Sequence, residues 1–219
     1  MNGKREARVH ALRVTYDAAL TEATFMDSAS GERRRFTLDS EPEAIAAWLG
    51  TIIGRPIALR CSDDGGFPDD ESAPGPTIVS TSTLSTVASW FPGLGVDSVR
   101  RRLRANIEID GVPPFWEDTL YGAADDTVVF RIGEVPFEGS NPCQRCVVPT
   151  RDPDSGEATP HFAKRVAELR AASLPVWAER SRFNHFYRLA VNTRSVAGQT
   201  GRSVHVGDVV RCTERLTPV

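Results

Sequence analysis

The sequence predicts a mainly β fold with a few short helices, closing as a β-barrel. Three observations carry that expectation: short runs of alternating apolar and polar residues recur along the chain, apolar stripes of helical period are few, and Gly, Pro, Asp and Ser clusters punctuate the runs. Two alternating runs open the chain, Val9 to Tyr16 and Arg34 to Leu38, separated by the turn signal Ser28-Ala29-Ser30-Gly31. They read as hairpin strands. Ser40 and Glu43 then form a capping-box pattern ahead of Ile45, Trp48, Leu49, Ile52 and Ile53, which line one face of a helix stopped by Gly54 and Pro56.

Residues 61–76 are rich in Asp, Gly and Pro without periodicity, and the domain boundary is placed there: 1–75 as a shortened N-terminal barrel-like segment, 76–219 as the main domain. Beyond it, Ile78 and Val79 lead into Ser80-Thr81-Ser82-Thr83, and Leu84, Val87, Ala88 and Phe91 follow at helical spacing. This is a strand, a hydroxyl-rich turn and a short helix. From Arg102 to Asp110 the chain alternates, which predicts a strand with Arg102, Arg104, Asn106 and Glu108 on one face. Further strands are expected over Val128 to Ile132, Val135 to Phe137, Cys146 to Pro149, Phe186 to Val191 and Val209 to Cys212. A helix is expected over Phe162 to Ala172, with Phe162, Val166 and Leu169 facing the core.

With 219 residues, 40% apolar and 25% charged, the chain can build a sizeable core. A net charge of -3 argues against general nucleic-acid binding or polybasic membrane attachment. No apolar stretch is long enough to cross a bilayer and no export signal stands at the N-terminus, so a soluble, cytoplasmic protein is expected. Four cysteines then default to thiols.

Cys143 and Cys146 form a C-x-x-C, a spacing shared by zinc sites and redox pairs. Zinc needs two more ligands, and Cys61, Cys212 and the four scattered histidines supply no close pair. A thioredoxin-type motif should begin a helix, which Pro142, Pro149 and Val147-Val148 disfavour. Cys146, beside Arg145, is the expected functional thiol, since a guanidinium offers a positive partner to the nucleophilic, metal-ligating form; the alternative is a half-buried strand cysteine that only packs. Arg102 and Arg104 offer guanidinium forks for a phosphate or pyrophosphate, or else protect an edge strand. The Ser80 to Thr83 hydroxyls can cap the helix, hold a phosphate, or both. Glu117 and Asp118, after Phe115-Trp116, are a candidate acid-base pair or a solvated loop.

Taken in order, STSTL (80–84), RRLRANIEIDG (101–111), FWED (115–118), PCQRCVVPTRDPDSG (142–156) and VGDVV (206–210) resemble a MOSC domain, the C-terminal module of molybdenum-cofactor sulfurases. The resemblance is nearest the branch containing the mitochondrial amidoxime-reducing component, and it covers about the last two-thirds of the chain. It implies a MOSC-type β-barrel with a reduced N-terminal β/α segment. It also implies the pyranopterin molybdenum cofactor with Cys146 as metal ligand, cofactor contacts from Thr83, Arg102, Arg104, Asn106 and Arg145, and Asp118 as catalytic acid. Pyridoxal phosphate binding is associated with the family at large. The activity implied is reduction of an N-oxygenated small molecule with electrons from an external donor protein. A sulfur-carrier module holding a persulfide on Cys146 and a non-catalytic binding domain are the alternatives. Leu103 and Ala105 depart from the family's phenylalanine and proline, and its usual N-terminal lysine-serine and arginine motifs are not recognisable.

Overall fold

The computed structural model describes residues 4–62, 70–124, 126–199 and 201–216, the last four through their backbone. Nine strands and four α-helices fall within them, so the fold is mainly β with short helices. They divide into two compact units: residues 1–66 with 147–160, and residues 67–146 with 161–219.

In the first unit, β1 (Leu12–Tyr16), β2 (Glu22–Asp27) and β3 (Arg33–Thr37) form an antiparallel meander. The sequence reading has no strand at β2, and the run from Val9 begins in a 3-10 turn (Ala7–Ala11) instead of a strand. Helix α1 (Pro42–Ile53) lays Ile45, Trp48 and Leu49 on Phe36, with Phe25 and Phe36 set edge-on or tilted against Trp48. Its start differs from the expected capping box: Pro42 fits the first turn without an amide, and Glu41 bends back to accept the Thr37 amide at 2.7 Å. Gly54, at φ 76°, closes the helix in the left-handed conformation as expected.

The segment after Cys146 completes this unit. The expected strand from Cys146 to Pro149 is absent; Pro149 sits in a 3-10 turn (Val148–Thr150), because a proline inside the ladder has no amide to give. The following Asp152 to Gly156 turn is held by the Asp152 carboxylate, which accepts the Asp154 and Ser155 amides, and by Arg13, which binds the Pro153 carbonyl and Asp154.

The second unit is built on a six-stranded sheet that curls as a half-barrel, in the order β5 (Ile107–Ile109), β4 (Ile78–Ser80), β8 (Arg188–Ser195), β7 (Val135–Gln144), β6 (Thr127–Ile132), β9 (Val210–Leu216). Only β4 and β5 run parallel, and the remaining neighbours are antiparallel. Alternation along the strands feeds two cores. Val79, Leu189 and Ala190 join the helices α2 (Thr81–Ser89), α3 (Val96–Leu103) and α4 (Phe162–Ala172), whereas Ile78 and Val191 join Phe130, Ile132 and Phe137 of the hairpin.

Two expectations fail in this unit. The alternation read from Arg102 to Asp110 is broken, because Val96, Val99 and Leu103 form a helical stripe and α3 runs through Arg102; Asp97 in its first turn and three arginines in its last suit the helix dipole. Arg102 and Arg104 therefore do not share a strand face. On α4 the buried stripe is Phe162, Val166 and Arg170, with a charged residue where Leu169 was expected.

Candidate functional site

The hydroxyl turn between β4 and α2 is spent internally. Ser80 caps the helix by accepting the Thr83 amide at 3.1 Å and donates to Thr83 Oγ1 at 2.8 Å. Thr83 Oγ1 also accepts the Phe115 amide at 2.6 Å, Ser82 donates to the Val112 carbonyl at 2.6 Å, and Thr81 donates to Glu108 at 3.1 Å. The loop carrying Val112 and Phe115 thus covers the head of α2, and Thr83, the expected cofactor contact, is fully buried with its hydroxyl engaged by Ser80 and Phe115.

Glu117 and Asp118 lie on a buried 3-10 turn (Trp116–Leu120), not on a solvated loop. Asp118 pairs with Arg170, both almost sealed from solvent, and the Arg170 guanidinium stacks 4.1 Å over the Phe115 ring. Burial pushes the Asp118 carboxyl up, with Arg170 pulling the other way. The structure thus places Asp118, the expected catalytic acid, inside a buried ion pair. Glu117 is 1% exposed, and neither carboxylate oxygen has a hydrogen-bond partner of good geometry. Burial raises it; its own backbone amide and the Thr83 and Ser80 hydroxyls oppose this and the Asp118 charge adds to it.

Arg102 is buried in the last turn of α3, its Nε donating to Ser98 and its guanidinium 5.4 Å from the Phe162 ring centroid. Asn106 accepts both the amide and the hydroxyl of Thr77, at 2.9 and 3.0 Å, and so pins the start of β5 to β4. Arg100 grips Glu108 with two hydrogen bonds, holding that carboxyl below the usual range. Arg102 and Asn106, both expected as cofactor contacts, are thus engaged within the protein.

Arg104, Arg145, Cys143 and Cys146 remain. Arg104 caps α3 in the left-handed conformation, φ 54°, with its side chain exposed and without a hydrogen-bond or ion-pair partner among the described residues. Arg145 reaches the same helix end: one Nη donates to the Leu103 carbonyl and the other lies 3.0 Å from Cys143 Sγ. Its Nε is buried and unpartnered. The sequence reading gave this guanidinium to Cys146; the structure gives it to Cys143.

Cys146 is half-exposed just beyond β7, and Tyr187 is its electrostatic neighbour. Burial pushes the Tyr187 phenol up, and its hydroxyl has no partner. Arg188 is strapped to the Pro142 carbonyl and Asn184, and burial pulls its guanidinium down. The strands are irregular here. Pro142 pairs with Val191 but Gln144 with Arg188, and Ala190 takes φ 68° inside β8, a bulge that re-aims the side chains around Cys143. Tyr187, Arg188 and Arg170 were missed by sequence reasoning, although the i, i+4, i+8 spacing of Phe162, Val166 and Arg170 was there to be read.

Among the described residues, no group of three or more His, Cys, Asp or Glu side chains could hold a metal, and no helix is long and apolar enough to cross a membrane. What gathers is a soft thiol, an open guanidinium and two buried polar atoms without partners. That donor set fits a thiophilic metal carried by a phosphate-bearing group.

The chain is 26% identical over 132 residues to a molybdenum cofactor sulfurase of Caenorhabditis elegans, an alignment covering 58% of this chain and 17% of the relative, so the chain spans under a fifth of that protein. The MOSC domain profile matches residues 77–211, which include β4, the half-exposed thiols and the first two residues of β9. With more than half its length matched, the chain belongs to the MOSC domain family.

Proposed function

We propose that this protein binds the pyranopterin form of the molybdenum cofactor, with Cys146 as the protein ligand to molybdenum, and that it reduces an N-oxygenated small molecule using electrons from a separate donor protein. The observation that carries the reading is that Arg145, next to the half-exposed Cys146 in the chain, binds the Leu103 carbonyl at the helix end capped by the open guanidinium of Arg104. Cys146 presents soft sulfur, and Arg104 keeps its fork unspent while the guanidiniums around it are engaged elsewhere. When bound, the cofactor supplies oxygen-atom-transfer chemistry.

The chain's own residues hold and orient. Arg104 takes the cofactor's phosphate from the end of α3. Arg145 fixes that helix end through the Leu103 carbonyl. Tyr187 offers its unpartnered hydroxyl beside Cys146. With Asp118 committed to Arg170, the proton for the departing oxygen comes from solvent or from the phenol. Membership of the amidoxime-reducing branch and a cytoplasmic setting belong to the same reading.

Elemental analysis of protein made in a host that synthesises the cofactor tests it. Near-stoichiometric molybdenum is expected in the wild type, an at least tenfold loss in Cys146→Ala, and a partial loss in Arg104→Ala. Cys143→Ala should keep its molybdenum. Wild-type protein without molybdenum, or Cys146→Ala with a full complement, overturns the proposal.

A further inference from the structure

We infer that Cys143 and Cys146 form a thiol pair that hydroperoxides oxidise to an intramolecular disulfide, with Cys143 as the attacking sulfur and Cys146 as the resolving one. Both thiols are free and half-exposed, so a small oxidant can reach them. They are not equivalent. Arg145 Nη1 stands 3.0 Å from Cys143 Sγ, and its other Nη is anchored on the Leu103 carbonyl, so the guanidinium is held in place instead of swinging in solvent. Arg188 is pinned to the Pro142 carbonyl, one residue before Cys143, and to Asn184. Cys146 has no guanidinium of its own at hydrogen-bonding distance among the described residues.

That asymmetry assigns the roles. A thiolate attacking the O–O bond of a hydroperoxide gains a sulfur–oxygen bond while the distal oxygen leaves as an alkoxide or hydroxide, and Arg145 faces the sulfur where that negative charge is redistributed. The sulfur loses two electrons, the O–O bond gains them, and the leaving oxygen takes a proton from water. Cys146 then attacks the sulfenic sulfur of Cys143, forming the S–S bond and releasing water. Redox-responsive cysteines are characteristically accessible, next to a positive group and near a resolving thiol. Cys143 itself falls at the register shift between Pro142 and Gln144, outside the regular pairing of β7 with β8.

The chemistry stands without any cofactor. Its regulatory meaning rests on the proposed function, because a disulfide at Cys146 removes the sulfur assigned to molybdenum.

The full chain, with no metal added, is treated with hydrogen peroxide, alkylated and mapped by mass spectrometry. A Cys143–Cys146 disulfide is expected, with Cys61 and Cys212 still alkylated. In Cys146→Ser, dimedone should trap a sulfenic acid at Cys143. In Cys143→Ser, adduct formation at Cys146 should be at least tenfold slower. Arg145→Gln should slow disulfide formation about tenfold, and Arg145→Lys should recover part of the rate. Equal reactivity of Cys143 and Cys61, a dimedone adduct formed faster at Cys146 than at Cys143, or cross-linked dimers in place of the internal disulfide overturns the inference. A disulfide that forms as expected in a protein that never takes up molybdenum leaves the thiol chemistry standing and overturns the proposed function alone.

Discussion

Glu117 is the residue whose surroundings conflict most with its charge. A carboxylate at 1% exposure without a well-formed hydrogen bond is strongly penalised, so the folded protein holds this group protonated well above the pH at which an unfolded chain would ionise it. The sign follows directly: as pH rises past the ordinary carboxylate range, the unfolded state loses a proton that the folded state keeps, and stability falls until the folded group itself ionises. Glu117→Gln removes that penalty. Chemical denaturation should find the advantage of the variant over wild type small at the acid end of the carboxylate range and growing as pH rises toward neutrality. Stability curves that stay parallel across that range would refute it. Residue types in the sequence were enough to nominate Cys146 and Arg104. Sequence order could not tell that Thr83 and Asn106 find their partners inside the protein, because those partners lie about thirty residues away, and it could not tell that Arg102 turns back to Ser98, because that contact needs the helix that the alternating reading missed.

At the scale of the element, β7 has a demanding crossing. Gly139 pairs with Val128 on one side and Thr193 on the other, and a Cβ there would lie 1.5 Å from the Leu120 carbonyl oxygen of the buried 3-10 turn. The obstacle is backbone, so no rotamer change relieves it. Gly139→Ala should therefore lose at least the roughly 1–3 kcal/mol typical of overpacking. Calorimetry would show this as a fall of about 2–4 °C in Tm for each kcal/mol lost; an unchanged Tm would mean that the crossing is looser than described. Elements whose signal is local were legible. Examples are α2 after its Ser80 cap, α4 over Phe162–Ala172, and β6 with its clean alternation. The α3–β5 segment was misread, because Leu103 and Ala105 satisfy a two-residue period as well as Val99 and Leu103 satisfy a helical one, and only packing decides between them. Strand β2 escaped because Glu22–Asp27 carries too few apolar residues to announce a buried face.

At the scale of the whole molecule, the core of the first unit is small and leans on one aromatic. Trp48 is 4% exposed, packs against Phe25 and Phe36, and donates its indole N–H to Glu32 at 3.0 Å. Trp48→Ala should cost that unit about 3–5 kcal/mol. Hydrogen exchange should then accelerate at the amides of Asp152 and Gly156, which close the turn shared with Arg13; protection there unaffected by the substitution would show that the turn is stable without the core. That unit is assembled from residues 1–66 and residues 147–160, with the intervening chain folding elsewhere. During synthesis, the first sixty-six residues must wait for about ninety more to be added before their last piece exists. At ribosomal speeds that is an interval of roughly 5–20 s. The three-stranded meander spends it with its closing segment still unmade, so the nascent chain has a stage at which chaperones and proteases meet an incomplete unit.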